Sequence, residues 1–229
     1  MSKRPYVLLS CAASIDGYID DTRDARLMLS NDADFDRVDE VRAGCDAILV
    51  GSVTIRKDNP RLLVRSEKRR NERLARGLTP TPTKVTITGR GDLDPATQFF
   101  VAGDTEKIVY AASSALDKTR ERVSSRATVV DGSDPIDLLR VLNDLATRGI
   151  GRLMVEGGGT MHTQFLTNGL ADELHLVIAP FFVGDSRAPR FVHDGAFPWD
   201  RYHRARLAEV TPIGDVVLLR YALSERFEG

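Results

Sequence analysis

Val155-Glu156-Gly157-Gly158-Gly159-Thr160 sets a carboxylate, three glycines and a hydroxyl residue between an apolar strand and a helix-like segment. Glycines carry no Cβ, so the amides of such a turn can approach a ligand closely. A helix start adds unpaired N–H groups and the positive end of the helix dipole. The chemistry is anion binding, with phosphate foremost. Glu156 would repel a phosphate, so it suits hydrogen bonding to the non-phosphate part of a ligand. The same residues also fit an ordinary tight strand-to-helix turn. Spacing excludes two other phosphate loops. A P-loop needs Lys and then Ser or Thr after its last glycine, whereas Thr160-Met161 follow here. The G-x-G-x-x-G fingerprint belongs to an opening βαβ unit, and this run lies past residue 150.

In open α/β sheets ligands gather outside the carboxyl ends of the strands. The residues after the predicted strands are 12–14, 52–65, 89–90 and 156–160. Together they offer the glycine cradle, Arg90 on a Gly-flanked turn, and the polar loop Asp58-Asn59-Pro60-Arg61-Leu62-Leu63-Val64-Arg65. Two phosphate-bearing ligands would account for that set. Arg90 could grip the 2′-phosphate of an NADP-type cofactor through its two-pronged guanidinium, or be a solvent-facing turn residue. Arg42 and Arg65 could clamp a substrate phosphate, or be solvated like most surface arginines.

The elements that must position these residues read as alternating strands and helices. Residues 6–13 form a first strand, and Asp16-Gly17 signals a bend. Ser30 or Asn31 caps a helix carrying Phe35, Val38 and Val41 that stops at Gly44, with Arg42 in its last turn. Residues 47–50 are a buried strand, followed by a short helical turn with Thr54 and Asp58 on one face that ends at Asn59-Pro60. Further strands fall at 85–88, 108–111 and 128–130, with a polar helix at 116–123. Asp134-Pro135 reads as the cap and first turn of a helix whose stripe is Leu138, Leu139, Leu142 and Leu145, ending at Gly149. The strand into Glu156, a helix over 160–168, a strand over 173–179 stopped by Pro180, and a hairpin of 207–211 with 215–221 complete the chain. The expectation is an α/β fold with a mostly parallel central sheet flanked by helices and an antiparallel C-terminal hairpin, all in a single domain over 1–229.

Composition narrows the function classes. The chain has 229 residues, 42% of them hydrophobic, enough for a substantial core. Its 32 Lys+Arg nearly cancel its 33 Asp+Glu, so no global field draws in nucleic acid or an anionic membrane. The basic run over 65–76 lacks interleaved aromatics and reads as a solvated helix or loop. Cys11 and Cys45 have no C-x-x-C spacing and read as buried free thiols. His162, His175, His193 and His203 show no ligand spacing, so no metal is expected. The N-terminal apolar run, broken by Ser10, is too short for a signal segment or a membrane span, which places the protein in the cytoplasm.

Taken together, these motifs resemble the riboflavin-biosynthesis pyrimidine reductases, whose domain has a dihydrofolate-reductase-like fold. The resemblance rests on Ala12-Ala13-Ser14-Ile15-Asp16-Gly17, Arg42 ahead of Asp46-Ala47-Ile48-Leu49-Val50-Gly51, Thr54, Asp58-Asn59-Pro60-Arg61-Leu62, Val64-Arg65, Glu156-Gly157-Gly158-Gly159, Gly169-Leu170 and Ala179-Pro180. They run in family order over nearly the whole chain. The resemblance implies an NADPH-dependent oxidoreductase, with the cofactor against Ala12, Thr54, Asp58, Gly89, Arg90, Gly158, Gly159 and Thr160. It implies that Arg42, Asn59, Leu62, Arg65 and Glu156 contact a ribosylaminopyrimidine 5′-phosphate whose ribosyl group is reduced to ribityl by hydride at C1′. Glu156 is then the catalytic candidate, orienting the substrate and acting as an acid. A homodimer, with the C-terminal hairpin as a contact, is implied as well.

Two-domain members of that family that use the deaminated pyrimidine tend to carry Lys where Ser10 stands, and often Ser and Trp near Arg26 and Met28. This chain also lacks their deaminase domain, so it resembles the stand-alone form. The alternative readings are reduction of dihydrofolate or another pterin-like ring or secondary metabolite on the same scaffold, a non-catalytic nucleotide-binding regulator and, most remotely, a nucleic-acid binder.

Overall fold

The structure is a computed structural model describing residues 4–23, 25 and 27–227; Arg26 lies outside the described residues. In chain order the elements are β1 (Tyr6–Ser14), α1 (Asp32–Ala43), β2 (Ala47–Gly51), α2 (Ser52–Asp58), α3 (Glu67–Ala75), β3 (Thr83–Thr88), α4 (Gln98–Val101), β4 (Lys107–Ala111), α5 (Leu116–Val123), β5 (Thr128–Asp131), α6 (Leu138–Thr147), β6 (Arg152–Val155), α7 (Gly159–Thr167), β7 (Glu173–Ala179), β8 (Arg206–Ile213) and β9 (Val216–Ala222). The chain forms two compact units. One is Asp39–Met154 with the start of the chain, and the other is Tyr6–Val38 with the residues from Val155 onward.

In the first unit the strands lie in the order β5-β4-β3-β2-β6, and β2, β3, β4 and β5 run parallel. Parallel strands covered on their faces read as continuous apolar runs, and Ala47, Ile48, Leu49 and Val50 are all buried. Ile48, Val50, Ile55, Leu62, Phe99, Phe100 and Val109 belong to one core cluster. The short helix α4 is tied down by Lys84, fully buried on β3, whose ammonium donates to the Phe99 and Ala102 carbonyls at 3.2 and 2.6 Å. Burial lowers its pKa to about 8.

The cap of α6 corrects the sequence reading. Asp137, not Asp134, accepts from the first amides, Leu139 N at 2.9 Å and Arg140 N at 3.1 Å, while the Asp134 carboxylate bonds Ser114. The buried stripe is Leu138, Val141, Leu142 and Leu145, and Leu139 is half-exposed. The basic run is also less solvated than expected. Arg73 is buried and donates to the carbonyls of Thr79, Ala43 and Cys45, and Arg70 donates to those of Val64 and Arg65. These side chains fasten α3 to the loop before it and to the end of α1.

In the second unit the order is β1-β7-β9-β8. β1 and β7 are parallel, and β7, β9 and β8 form an antiparallel series. The hairpin turn is Gly214-Asp215, since β8 continues through Pro212 to Ile213; Gly214 has φ +63°. His175 on β7 pairs with Arg220 on β9, and both close on Glu173, which is 1% exposed. Cys45 is buried and Cys11 only half-buried, both as free thiols.

Candidate functional site

The glycine turn belongs to the second unit. β6, with Leu153, Met154 and Val155 fully buried, ends one residue before Glu156, which is half-buried on the turn. Gly157 has φ +116°, a conformation glycine adopts at little cost, and its peptide to Gly158 is cis. α7 starts at Gly159, one residue earlier than expected. Its N-cap, Gly158, provides no side-chain cap, while the Gly158 carbonyl accepts from Met161 N and His162 N at 2.9 and 3.2 Å. The first amides of α7 have no intrahelical partner. A Cβ on Gly159 would collide with the Arg190 carbonyl oxygen and stand 3.1 Å from His193 Nε2. Glycine is required here because the 190–193 segment packs on the helix start, where His193 N also donates to Thr163 Oγ1 at 2.9 Å. Ala12 is half-buried on β1, opposite Val177.

His162, in the first turn of α7, had no role in the sequence reading beyond the metal question. It is 1% exposed, stacks edge-on against Phe191 with centroids 5.3 Å apart, and among the described residues has no hydrogen-bond partner for either ring nitrogen. Burial lowers its pKa to about 4, so the ring is neutral at physiological pH. A buried polar atom without a partner costs about 1–3 kcal/mol.

The cationic loop belongs to the first unit. Arg42, in the last turn of α1, donates to the Leu63 carbonyl at 3.3 Å. Asp39, one turn earlier and 1% exposed, accepts from Arg65 N, from Ser66 N at 3.1 Å and from Arg69 Nη1 at 3.1 Å. It fixes the backbone beneath Arg65, whose side chain is 58% exposed. Asn59 ends α2 in the left-handed conformation, and its side-chain carbonyl accepts from Gln98 N at 2.7 Å. Leu62 also has a positive φ, and its side chain belongs to the core. At these two positions the side chains are engaged within the protein, Asn59 on the Gln98 amide and Leu62 in the core. Thr54 is half-buried and Asp58 exposed on α2. A Cβ on Gly89 would meet nothing within 4 Å, and the neighbouring Arg90 is exposed, with its carbonyl accepting from Lys118.

A cleft of about 530 Å³ in the second unit is lined by Leu27, Met28, Phe181 and Phe182, with Asp21 and Asp185 among its polar walls. It does not include the glycine turn. Sequence reading missed it, although Phe181-Phe182 directly after Pro180 was a signal, and Phe182 is 69% exposed. Among the described residues no group of His, Cys, Asp or Glu could hold a metal, and no helix is long and apolar enough to cross a membrane.

Residues 5–219 match the family described as the RibD C-terminal domain. The chain belongs to the RibD C-terminal domain family. A curated relative, the 2,5-diamino-6-ribosylamino-4(3H)-pyrimidinone 5′-phosphate reductase of Archaeoglobus fulgidus, is 32% identical over 225 residues, covering 98% of this chain and 99% of the relative. The crystal structure of a pyrimidine reductase-like protein from Corynebacterium diphtheriae matches with a TM-score of 0.79 at 22% identity, over 95% of this chain and 91% of its own. A more distant neighbour is dihydrofolate reductase from Enterococcus faecalis, with a TM-score of 0.50 and 12% identity over 95% of each chain. The RibD C-terminal chain thus has the α/β, dihydrofolate-reductase-like fold expected from its sequence.

Proposed function

We propose that this chain is the NADPH-dependent reductase of 2,5-diamino-6-ribosylamino-4(3H)-pyrimidinone 5′-phosphate in riboflavin biosynthesis, acting as one reductase domain. The observation that carries the reading is the nearly end-to-end match to a relative bearing that name, 98% of one chain and 99% of the other. Ser10, where lysine tends to stand in enzymes of the deaminated substrate, fits the diamino form; it lies 8% exposed on β1.

Two local features fit a nicotinamide dinucleotide. α7 begins at a glycine without a side-chain cap, so its first amides suit a phosphate, and Gly89 leaves open space where a Cβ would stand. Ala12, Thr54, Asp58, Gly89, Arg90, Gly158, Gly159 and Thr160 would hold the cofactor, with Arg90 suited to the 2′-phosphate. When bound, the nicotinamide supplies the hydride that C1′ accepts as the C1′–O4′ bond opens. The residues of the chain then position the substrate. Arg42 and Arg65 bind its 5′-phosphate, the backbone at Asn59 and Leu62 shapes the loop around it, and Glu156 orients the pyrimidine ribosylamine and delivers the proton that the departing O4′ requires.

NADPH consumption measured in parallel with the diamino substrate, its deaminated counterpart and dihydrofolate tests this reading. Turnover with the diamino compound is expected, and turnover with dihydrofolate alone would overturn the assignment. Arg65→Ala should raise KM for the phosphorylated pyrimidine by about tenfold or more, the weight of a charge-assisted phosphate contact, and leave KM for NADPH unchanged. The protein is further proposed to be a cytoplasmic homodimer. Half-exposed Leu207 and Val210 on β8 are in keeping with a contact at the C-terminal hairpin, and sedimentation is expected to give the dimer mass; a monomer at working concentration would contradict it.

A further inference from the structure

His162 is placed where its polarity has no use in the fold alone. The ring is buried to 1% exposure, its edge contact with Phe191 is one an apolar side chain could also make, and both ring nitrogens lack partners among the described residues. For packing alone, a leucine or phenylalanine would serve without leaving polar atoms unpaired. One of those nitrogens faces the glycine turn: Nε2 stands 3.5 Å from the point that a Cβ on Gly157 would occupy. Gly157 is the positive-φ residue that sets the course of the backbone into α7. A buried polar group without a partner among the described residues, set behind a positive-φ glycine at a helix start with no side-chain cap, has the geometry to become a partner of the turn.

We infer that His162 is a positioning residue for the 156–158 turn, and that its ring nitrogen becomes the hydrogen-bond partner of the turn when a dinucleotide phosphate is bound at the start of α7. The inference rests on the cofactor reading above. It makes the histidine a trade of ligand-free stability for a fixed turn in the bound state, which also fixes the backbone carrying Glu156. A neutral imidazole suits this role, since it offers one donor and one acceptor.

The test compares wild type, His162→Leu and His162→Asn by thermal unfolding without ligand and by calorimetric titration with NADPH. His162→Leu should keep or raise the ligand-free midpoint, by about 2–4 °C, and weaken NADPH binding by about tenfold. His162→Asn, which retains a donor and an acceptor, should recover most of the affinity. Equal NADPH affinity in wild type and His162→Leu would overturn the inference and leave the cofactor reading standing. A lowered ligand-free midpoint in His162→Leu with equally weak binding in His162→Asn would mark the ring as packing alone and also overturn it. Failure of the wild type itself to bind NADPH would overturn the cofactor reading and this inference with it.

Discussion

Glu156→Gln is expected to lower turnover of the pyrimidine substrate by about a hundredfold or more while leaving NADPH binding close to wild type. Leu153, Met154 and Val155 before it are fully buried, so the turn that carries the carboxylate starts from a packed strand end. Gln keeps the size of the side chain and one acceptor oxygen, but it is neutral and cannot hold and release a proton. Opening the ribosyl ring creates an oxygen that needs that proton, and a positioned acid contributes about 10²–10⁴ to such a step. Single-turnover rates separate chemistry from binding. A rate unchanged in Glu156→Gln would confine Glu156 to orienting the substrate and sink its role as an acid.

Glu173→Ala is expected to destabilise the protein by about 3–5 kcal/mol, the cost of breaking a buried ion pair. Glu173 accepts from Tyr6 OH at 2.9 Å, from Arg220 Nη2 at 2.7 Å and from His175 Nε2 at 2.8 Å. Arg37 Nη1 lies 3.2 Å from His175 Nδ1, so a ring that accepts there and carries its proton on Nε2 satisfies both contacts. Without the carboxylate, the guanidinium of Arg220 keeps, among the described residues, Glu209 as its acidic partner. The same group sets an acid limit. Burial by itself would raise the Glu173 carboxyl, but His175, Arg220 and Tyr6 outweigh it and hold the group well below its usual range, at about 2. Its unfolded value is 4.5. The unfolded chain therefore takes up the proton first, and the stabilisation, complete above 4.5, is lost as pH falls towards 2. His162 acts in the same direction in a higher window: its folded value of about 4 against 6.5 means that stability declines as pH falls below 6.5. Denaturant unfolding across that range should show wild type losing stability in both windows and Glu173→Ala losing the contribution of the lower one. An identical acid profile in the variant would contradict the account.

Elements whose signals are local were legible in the sequence. β7 is bounded as read, because a mostly apolar run stops at a proline, and α5 also matches its reading. α1 starts where Asn31 accepts from Asp34 N at 3.0 Å and ends before Gly44. What could not be read depends on contacts between residues far apart in sequence. The Asp39 carboxylate that pins Arg65 is 26 positions away, and Glu173 and Arg220 are separated by 47. α4 is too short to show a period, and a lysine on β3 holds it. The misplaced α6 cap has a related cause, since Asp134 and Asp137 have equal capping chemistry and the competing bond to Ser114 involves the turn after β4. Residue types and order singled out the glycine turn and the cationic loop as candidates. That the Asn59 and Leu62 side chains serve the loop itself, and that His162 is unpaired beneath the turn, were matters of packing.

The central claim is that this chain directs hydride to the sugar of a ribosylaminopyrimidine phosphate. The most direct measurement uses NADPH deuterated at nicotinamide C4 with the diamino substrate, followed by mass spectrometry and NMR of the product. The account predicts a single deuterium at C1′ of a ribityl chain. Oxidation of NADPH with no label in the sugar, or label on the pyrimidine ring, would contradict it.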